Sequence, residues 1–161
     1  MAMSDRNKDK LRLVIRTTMI AVAVLLLVIA IAIPIGNNAV ALGVENRLKD
    51  IPLPEQTELV ESTSVAGKLV GNGNGMQYFG AILIKSDLTL DQLNTHYATY
   101  RKSLFDCRIE QQTTPRIEAD GMDGSLSFRT EPETAGYYIV YSWGEAPDWL
   151  WDILNMDLRA H

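Results

Sequence analysis

The stretch TTMIAVAVLLLVIAIAIPIG, residues 17–36, decides the architecture of this chain. It contains no charged residue, and about 20 apolar residues in a helix are enough to cross the hydrocarbon core of a bilayer. The basic residues Arg6, Lys8, Lys10, Arg12 and Arg16 precede it, and basic residues mark the cytoplasmic side of a span. The sequence therefore predicts a single-pass protein of the cell membrane, with a cytoplasmic tail over residues 1–16 and an extracytoplasmic C-terminal part.

A cleaved signal peptide is the alternative interpretation of the same stretch. Ala39, Val40 and Ala41 have the small-x-small form of a cleavage site, and Pro34 and Gly36 can end a helix just before it. However, the apolar stretch is longer than the roughly 7 to 15 residues usual in a signal peptide, which favours a retained anchor.

The distribution of charge excludes one class of function. The tail carries a formal charge of +3 and the remainder −8, which together give the net charge of −5. An acidic domain repels phosphate backbones, and no basic stripe with interleaved aromatic residues is present. Nucleic acid is therefore not an expected partner, whereas the lipid bilayer is.

Residues 37–56 are predicted to form a linker, because Pro52 and Pro54 favour extended backbone. The remaining residues, 57–161, suffice for one small core. A single cysteine, Cys107, allows no intrachain disulfide.

The periodicity of the C-terminal part predicts an α+β fold in the order β-β-α-β-β-β-α, an antiparallel sheet with helices packed on it. A hairpin joins strands over 58–70 and 76–85 through a glycine and asparagine turn at 71–75. A helix over 90–104 follows, with Thr89 as N-cap and Gln92 at the capping-box position. Further strands are predicted over 107–113, 125–130 and 137–143, the last in a central position, and a final helix begins at Pro147.

The stripe of apolar residues on the helix over 90–104 is expected to face the sheet. Its members recur at helical spacing, and they are Leu93, Tyr97, Tyr100 and Leu104.

The run Gly-Asn-Gly-Asn-Gly at 71–75 is compatible with two functions. Glycines allow backbone amides to approach an anion, but a strand rather than a helix follows here, which favours a turn over a phosphate loop. Asn72 and Asn74 at this turn remain candidates for contact with a partner.

No motif in the sequence indicates an enzyme, a metal site or a cofactor. Met122 occupies a position where an acidic cation loop needs an oxygen ligand. His96 and His161 have no second ligand at metal-binding spacing, and His96 is expected on a helix surface. Cys107 is interpreted as a small buried residue rather than a reactive thiol.

The aromatic residues near the C-terminus are the strongest candidates for a binding surface. All three tryptophans, Trp143, Trp149 and Trp151, lie within nine residues. Core packing is the more usual explanation of such a cluster, but Trp149 and Trp151 are two positions apart on a predicted helix and point about 200° apart. One of them is therefore expected at the surface, where large aromatic residues often anchor a partner.

The sequence has, in order, a Pro-x-Pro segment at residues 52–54, GKLVGNGNGMQYFGAILIKSDLTLDQLNTHY at 67–97 and YYIVYSW at 137–143. Over roughly residues 52–143 it resembles a group of small exported or membrane-anchored bacterial proteins that have no assigned function. The likeness rests on the glycine run and the Lys-Ser-Asp-Leu helix entry. It implies a location in a bacterial cell envelope and supplies no catalytic residues.

Two functions are compatible with these features. The first is a membrane-tethered binding or accessory module whose outer domain contacts a membrane or envelope protein. The second is a structural subunit of a larger membrane complex, held through the transmembrane helix, whose alanines permit close helix packing.

The tryptophan hypothesis leads to a mutational prediction. Replacing Trp149 or Trp151 by alanine is expected, for at least one of them, to weaken partner or liposome binding with little change in melting temperature. If both substitutions destabilise by several kcal/mol, as burial in a core requires, the surface assignment is wrong.

Overall fold

One helix, α1 (Asp5–Lys49), runs through the predicted membrane span and continues into the C-terminal domain. The computed structural model describes residues 5–70, 76–100, 107–119, 122, 126–132 and 135–144. At 1.5 Å per residue, the 45 residues of α1 extend about 68 Å, roughly twice the hydrocarbon thickness of a bilayer. By length and composition this helix can cross a membrane.

The exposure of α1 changes along its length. Residues 6–32 are exposed on every side, although most of them are apolar. From Ile33 onward one face is buried, and its members recur at helical spacing: Ile33, Asn37, Ala41, Val44, Glu45 and Leu48. The second part of α1 is therefore a core helix of the domain.

The predicted linker over residues 37–56 is wrong for its first part, because residues 37–49 belong to α1. Pro34 lies inside the helix, and neither it nor Gly36 ends it. The helix stops at Lys49, shortly before Pro52, where proline disfavours helical backbone in the preceding residue. A domain beginning at residue 57 would therefore lack Val44 and Leu48, which the core contains.

Four antiparallel strands form the sheet in the order β1-β2-β4-β3. They are β1 (Thr57–Gly67), β2 (Gln77–Ser86), β3 (Arg108–Gln111) and β4 (Tyr137–Gly144). The pairing of β1 with β2 confirms the predicted hairpin, and β4 is central as expected. The turn at 71–75 lies outside the described residues.

Both faces of the sheet are covered. Ile82, Ile84 and Val140 face α1 and the second helix, α2 (Leu90–Ala98), in one buried cluster. The alternate residues Phe79 and Leu83 face the segment after β3, in a second cluster. This alternation explains why β2 is buried from Tyr78 to Ile84.

The capping box predicted for α2 is confirmed. The Gln92 amide donates to the Thr89 hydroxyl at 3.3 Å, and the Thr89 amide donates to Gln92 Oε1 at 2.9 Å. Leu93 and Tyr97 are buried, and Tyr100 packs against the same cluster.

However, α2 ends at Ala98, earlier than predicted. The Thr99 hydroxyl donates to the His96 carbonyl at 2.7 Å, and the Tyr100 amide donates to the Tyr97 carbonyl, a tighter pattern than an α-helix uses. Leu104 lies outside the described residues.

The strand predicted over residues 125–130 is wrong, so the described sheet has four strands rather than five. Only an isolated bridge joins Arg116 to Ser127. The amides of Arg129 and Thr130 donate instead to the Glu61 carboxylate on β1, so they are not available to a strand partner. The helix predicted from Pro147 lies outside the described residues.

The backbone of α1 approaches the sheet closely at Gly80. A Cβ added there would lie 2.5 Å from the backbone nitrogen of Glu45 and 2.9 Å from its Cα. Backbone at this distance cannot move aside as a flexible side chain can. Only glycine therefore allows the helix to pack on β2 at this depth.

The substitution Gly80→Ala is therefore expected to lower the free energy of unfolding by about 1 to 3 kcal/mol, because α1 must shift away from β2. Gly43→Ala is the matched control, since its Cβ would meet no atom within 4 Å. Alanine favours a helix more than glycine does, so this control is expected to be neutral or to stabilise by up to about 1 kcal/mol. Denaturant unfolding of the full chain in detergent micelles measures both, and equal effects would refute the close approach.

Candidate functional site

A buried carboxylate lies between α1 and the edge strand β1. Glu45 is 7% exposed, and its two oxygens accept hydrogen bonds from the hydroxyls of Ser62 and Ser64, each at 2.7 Å. Lys49, one turn further along α1, lies 3.4 Å from the same carboxylate. We call Glu45, Lys49, Ser62 and Ser64 the junction site.

The local sequence explains how the junction site forms. Ser62 and Ser64 are two positions apart on a strand, so both hydroxyls point to the same face of the sheet. Glu45 and Lys49 are four apart on a helix, with the acid nearer the N-terminus, which is the favourable orientation for an ion pair. The carboxylate therefore has partners on both of its oxygens.

These partners set the protonation of the junction site. Burial raises the pKa of Glu45, but the hydrogen bonds from the two serines and the charge of Lys49 together outweigh it, so the pKa lies below its ordinary value. Glu45 is therefore ionised at neutral pH, and its negative charge is matched inside the fold.

A second polar contact lies further down α1, towards the predicted span. The Tyr78 hydroxyl donates to Asn37 Oδ1 at 3.0 Å, and both side chains are fully buried. Buried polar groups are normally paired in this way. Together with the junction site, this contact fixes which face of the helix meets the sheet.

Two open depressions flank the junction. One, of about 330 Å³, lies between α1 and β1 and is lined by Asn38, Ala41, Leu42, Ser64, Val65 and Ala66. The other, of about 480 Å³, lies at the opposite end of the hairpin and is lined by Gln56, Thr57, Glu58, Lys85, Ser86 and Asp87. The second is polar and holds both signs of charge, so it suits a hydrophilic contact better than an apolar ligand.

The structure also places the other residues that the sequence raised as candidates for chemistry. Within the part of the chain that the structure describes, no group of three His, Cys, Asp or Glu side chains is placed to hold a metal ion. Cys107 is buried, as the sequence predicted. His96 is half-buried, and its Nε2 lies 2.8 Å from the Pro52 carbonyl oxygen, so it joins α2 to the segment after α1.

The sequence-predicted site residues are only partly located. Trp143 is half-buried on β4 and packs edge-to-face against Phe79, with 5.1 Å between ring centroids. It therefore contributes to the second cluster while keeping an exposed part. The other four predicted site residues lie outside the described residues, so their role in binding stays a prediction; they are Asn72, Asn74, Trp149 and Trp151.

Sequence reasoning missed the junction site. Glu45 is the first charged residue after the long uncharged run that begins at Thr17, and the pair Ser62 and Ser64 alternates on a strand. Both signals were present, but only the packing of α1 on β1 brings them together. Predicting a linker over residues 37–56 leaves Glu45 outside the folded domain, so the sequence gives no reason to pair it with the two serines.

Comparison of the chain with protein-family models, curated proteins and solved structures finds no match.

The lowered pKa predicts a specific pH dependence. Because the folded pKa of Glu45 is below the unfolded one, its contribution to stability is present above the ordinary glutamate pKa, about 4.3, and is lost as pH falls through the folded value. At neutral pH, Glu45→Gln is expected to cost roughly 1 to 3 kcal/mol, since two hydrogen bonds to a charged group are weakened. The difference from the unsubstituted protein is expected to shrink as pH falls below about 4.3.

The measurement is denaturant unfolding of both proteins across the acid range. Glu58→Gln, at an exposed position on β1, is the control that removes a charge of the same sign. A difference between Glu45→Gln and the unsubstituted protein that stays constant across this range would contradict the assigned role of the carboxylate.

Proposed function

We propose that this chain is a single-pass bacterial cell-envelope protein, with its N-terminus in the cytoplasm and its α+β domain outside. In this role the domain is a non-enzymatic binding or accessory module for another membrane or envelope protein. The basic tail, the uncharged run and the acidic C-terminal part support the orientation.

The observation that carries the proposal is the continuity of α1. The same helix has an apolar, fully exposed part and a part with one buried face, and no extended segment separates them. A domain attached in this way keeps a fixed height and orientation above a membrane. This arrangement suits a partner held in the same membrane better than one that must be reached by a flexible tether.

The position of the possible cleavage site favours retention of the helix. Ala41 is 1% exposed within α1, and cleavage after it would remove Ile33 and Asn37 from the folded domain. The buried hydrogen bond between Asn37 and Tyr78 would also be lost. Retention of α1 therefore preserves contacts that the fold uses.

The alternative function, a subunit held in a larger complex through α1, is favoured by a different observation. Within residues 6–32 every side chain is exposed, including Ala21, Ala23, Ala30 and Ala32. Small residues let neighbouring helices approach closely in a membrane. Because α1 is continuous, a partner that moves the membrane-spanning part of α1 would also move the domain.

Replacing residues 19–31 by an equally long leucine and alanine sequence separates the two functions, since it keeps every buried residue of α1 from Ile33 onward. If the outer domain is the binding element, proteins that co-purify from detergent are expected to remain after this replacement and to be lost in the Trp149→Ala, Trp151→Ala double variant. The opposite result would favour the subunit. An unrelated single-pass protein is the control. If the unsubstituted chain and both variants co-purify only the proteins that this control also co-purifies, both functions are refuted.

The orientation is checked in the same cells with single added cysteines, because Cys107 is buried. Glu58→Cys is expected to react with a membrane-impermeant maleimide on intact cells, and Asp9→Cys only after permeabilisation. The reverse pattern would overturn the proposed topology.

A further inference from the structure

The strands run alongside the buried part of α1, so the domain has one end near the predicted span and one end away from it. Ala41 packs with Ala66 and Met76 at the hairpin end, whereas Leu48 packs with Ile82 and Ile84 further along β2. We call residues 65–70, 76–79 and 142–144 the proximal end. The opposite strand ends, residues 57–59 and 85–87, are the distal end.

The length of α1 determines how close the proximal end lies to the bilayer. Arg12 and Arg16 limit how far the bilayer extends over the N-terminal part of α1. A hydrocarbon core needs about 20 helical residues, so a span that begins after Arg16 reaches residue 36. The domain already buries α1 at Ile33, which is 3% exposed. No length of chain is left over to hold the domain clear of the lipid surface.

The chemistry of the proximal end differs from that of the distal end. Among the described residues of the proximal end, Lys68 is the one charged side chain, and it is exposed. Val70, two residues on, is an apolar side chain with 39% exposure. The distal end has exposed Glu58 and Asp87 against one exposed lysine, Lys85, so its charge is negative where that of the proximal end is positive. It also has an exposed apolar side chain, Leu59, so the two ends differ in charge and in distance from the span rather than in apolar exposure.

This distribution matches a membrane interface. An exposed apolar side chain is stabilised at the boundary of the acyl chains, and a lysine next to it is attracted by anionic headgroups. Acidic residues are repelled by the same headgroups and lie at the far end. The difference in charge between the two ends is thus the one that an anionic lipid surface would favour.

We propose that the proximal end of the domain, through Lys68 and Val70, contacts the headgroup layer of the membrane that α1 spans. The contact rests on the proposed single-pass topology and extends it. The domain is then oriented by two attachments, the helix in the bilayer and the hairpin end on its surface.

The test uses the full chain with one added cysteine, labelled with the environment-sensitive dye nitrobenzoxadiazole. Labels are placed at Val70→Cys, at Glu58→Cys as the distal control and at Leu26→Cys as the membrane reference. Each protein is reconstituted into vesicles of phosphatidylcholine and phosphatidylglycerol in equal parts, with a nitroxide on the lipid headgroup or on the acyl chain. The nitroxide is present in both leaflets, so the direction of insertion does not matter.

A contact with lipid is expected to give the label at Val70 a blue-shifted emission and a loss of fluorescence with the headgroup nitroxide. The label at Glu58 is expected to show neither change. Adding Lys68→Glu to the Val70→Cys protein is expected to reduce the quenching, whereas Lys68→Arg is expected to keep it. Lys68→Cys provides a second labelling position if the Val70 variant does not fold.

The remaining outcomes separate this inference from the proposed function. If the acyl-chain nitroxide quenches Leu26 while Val70 behaves like Glu58, the lipid contact is refuted and the membrane anchor stands. A blue-shifted emission of the label at Val70 without quenching by either nitroxide would mean that protein rather than lipid covers the label. This outcome also refutes the lipid contact. If Leu26 is not quenched, the membrane topology itself is wrong.

Discussion

The structure depends on the packing of one face of α1 against the sheet, from Ile33 to Leu48. The same helix has two different parts, an apolar part that is exposed on every side and a part with one face in the protein core. In lipid an apolar helix has no preferred face, so the first part places no constraint on rotation about the axis. The buried stripe supplies that constraint. The sheet in turn needs the stripe, because Ile82 and Ile84 pack with Leu48 of α1 in one buried cluster.

A consequence of this packing concerns where the molecule can bend. Extended linkers move freely, but here the prolines at 52 and 54 follow the helix and lie beyond its contacts with the sheet. Pro34 is different, because it lies inside α1 where exposure gives way to burial, and proline removes one backbone hydrogen bond from a helix. Any bending between the apolar part and the domain would therefore centre on Pro34, which directly follows Ile33, a residue that the domain already buries.

Local patterns predicted the elements that local interactions form. The hairpin, the capping box at Thr89 and the central strand β4 follow from alternation and from side chains a few residues apart. The continuation of α1 does not follow from local patterns, because glycine and asparagine at 36–38 favour the end of a helix. Asn37 pairs with Tyr78, which is distant in the sequence. The strand predicted over 125–130 failed for a similar reason. Its alternation was suitable, but Glu61, far away in the sequence, binds the amides of Arg129 and Thr130.

The junction site determines the register in which α1 packs on the sheet, in addition to stabilising the fold. Apolar packing alone would hold α1 on the sheet in several registers, since a helix can slide by a turn and still bury similar side chains. A buried carboxylate with two serine donors has no such freedom, because any shift leaves charged and polar groups without partners. Gly80 adds a steric condition at the same level of the helix. A domain on a flexible tether would need none of these contacts, so their joint effect is to fix the angle and height of the sheet relative to the exposed apolar part of α1.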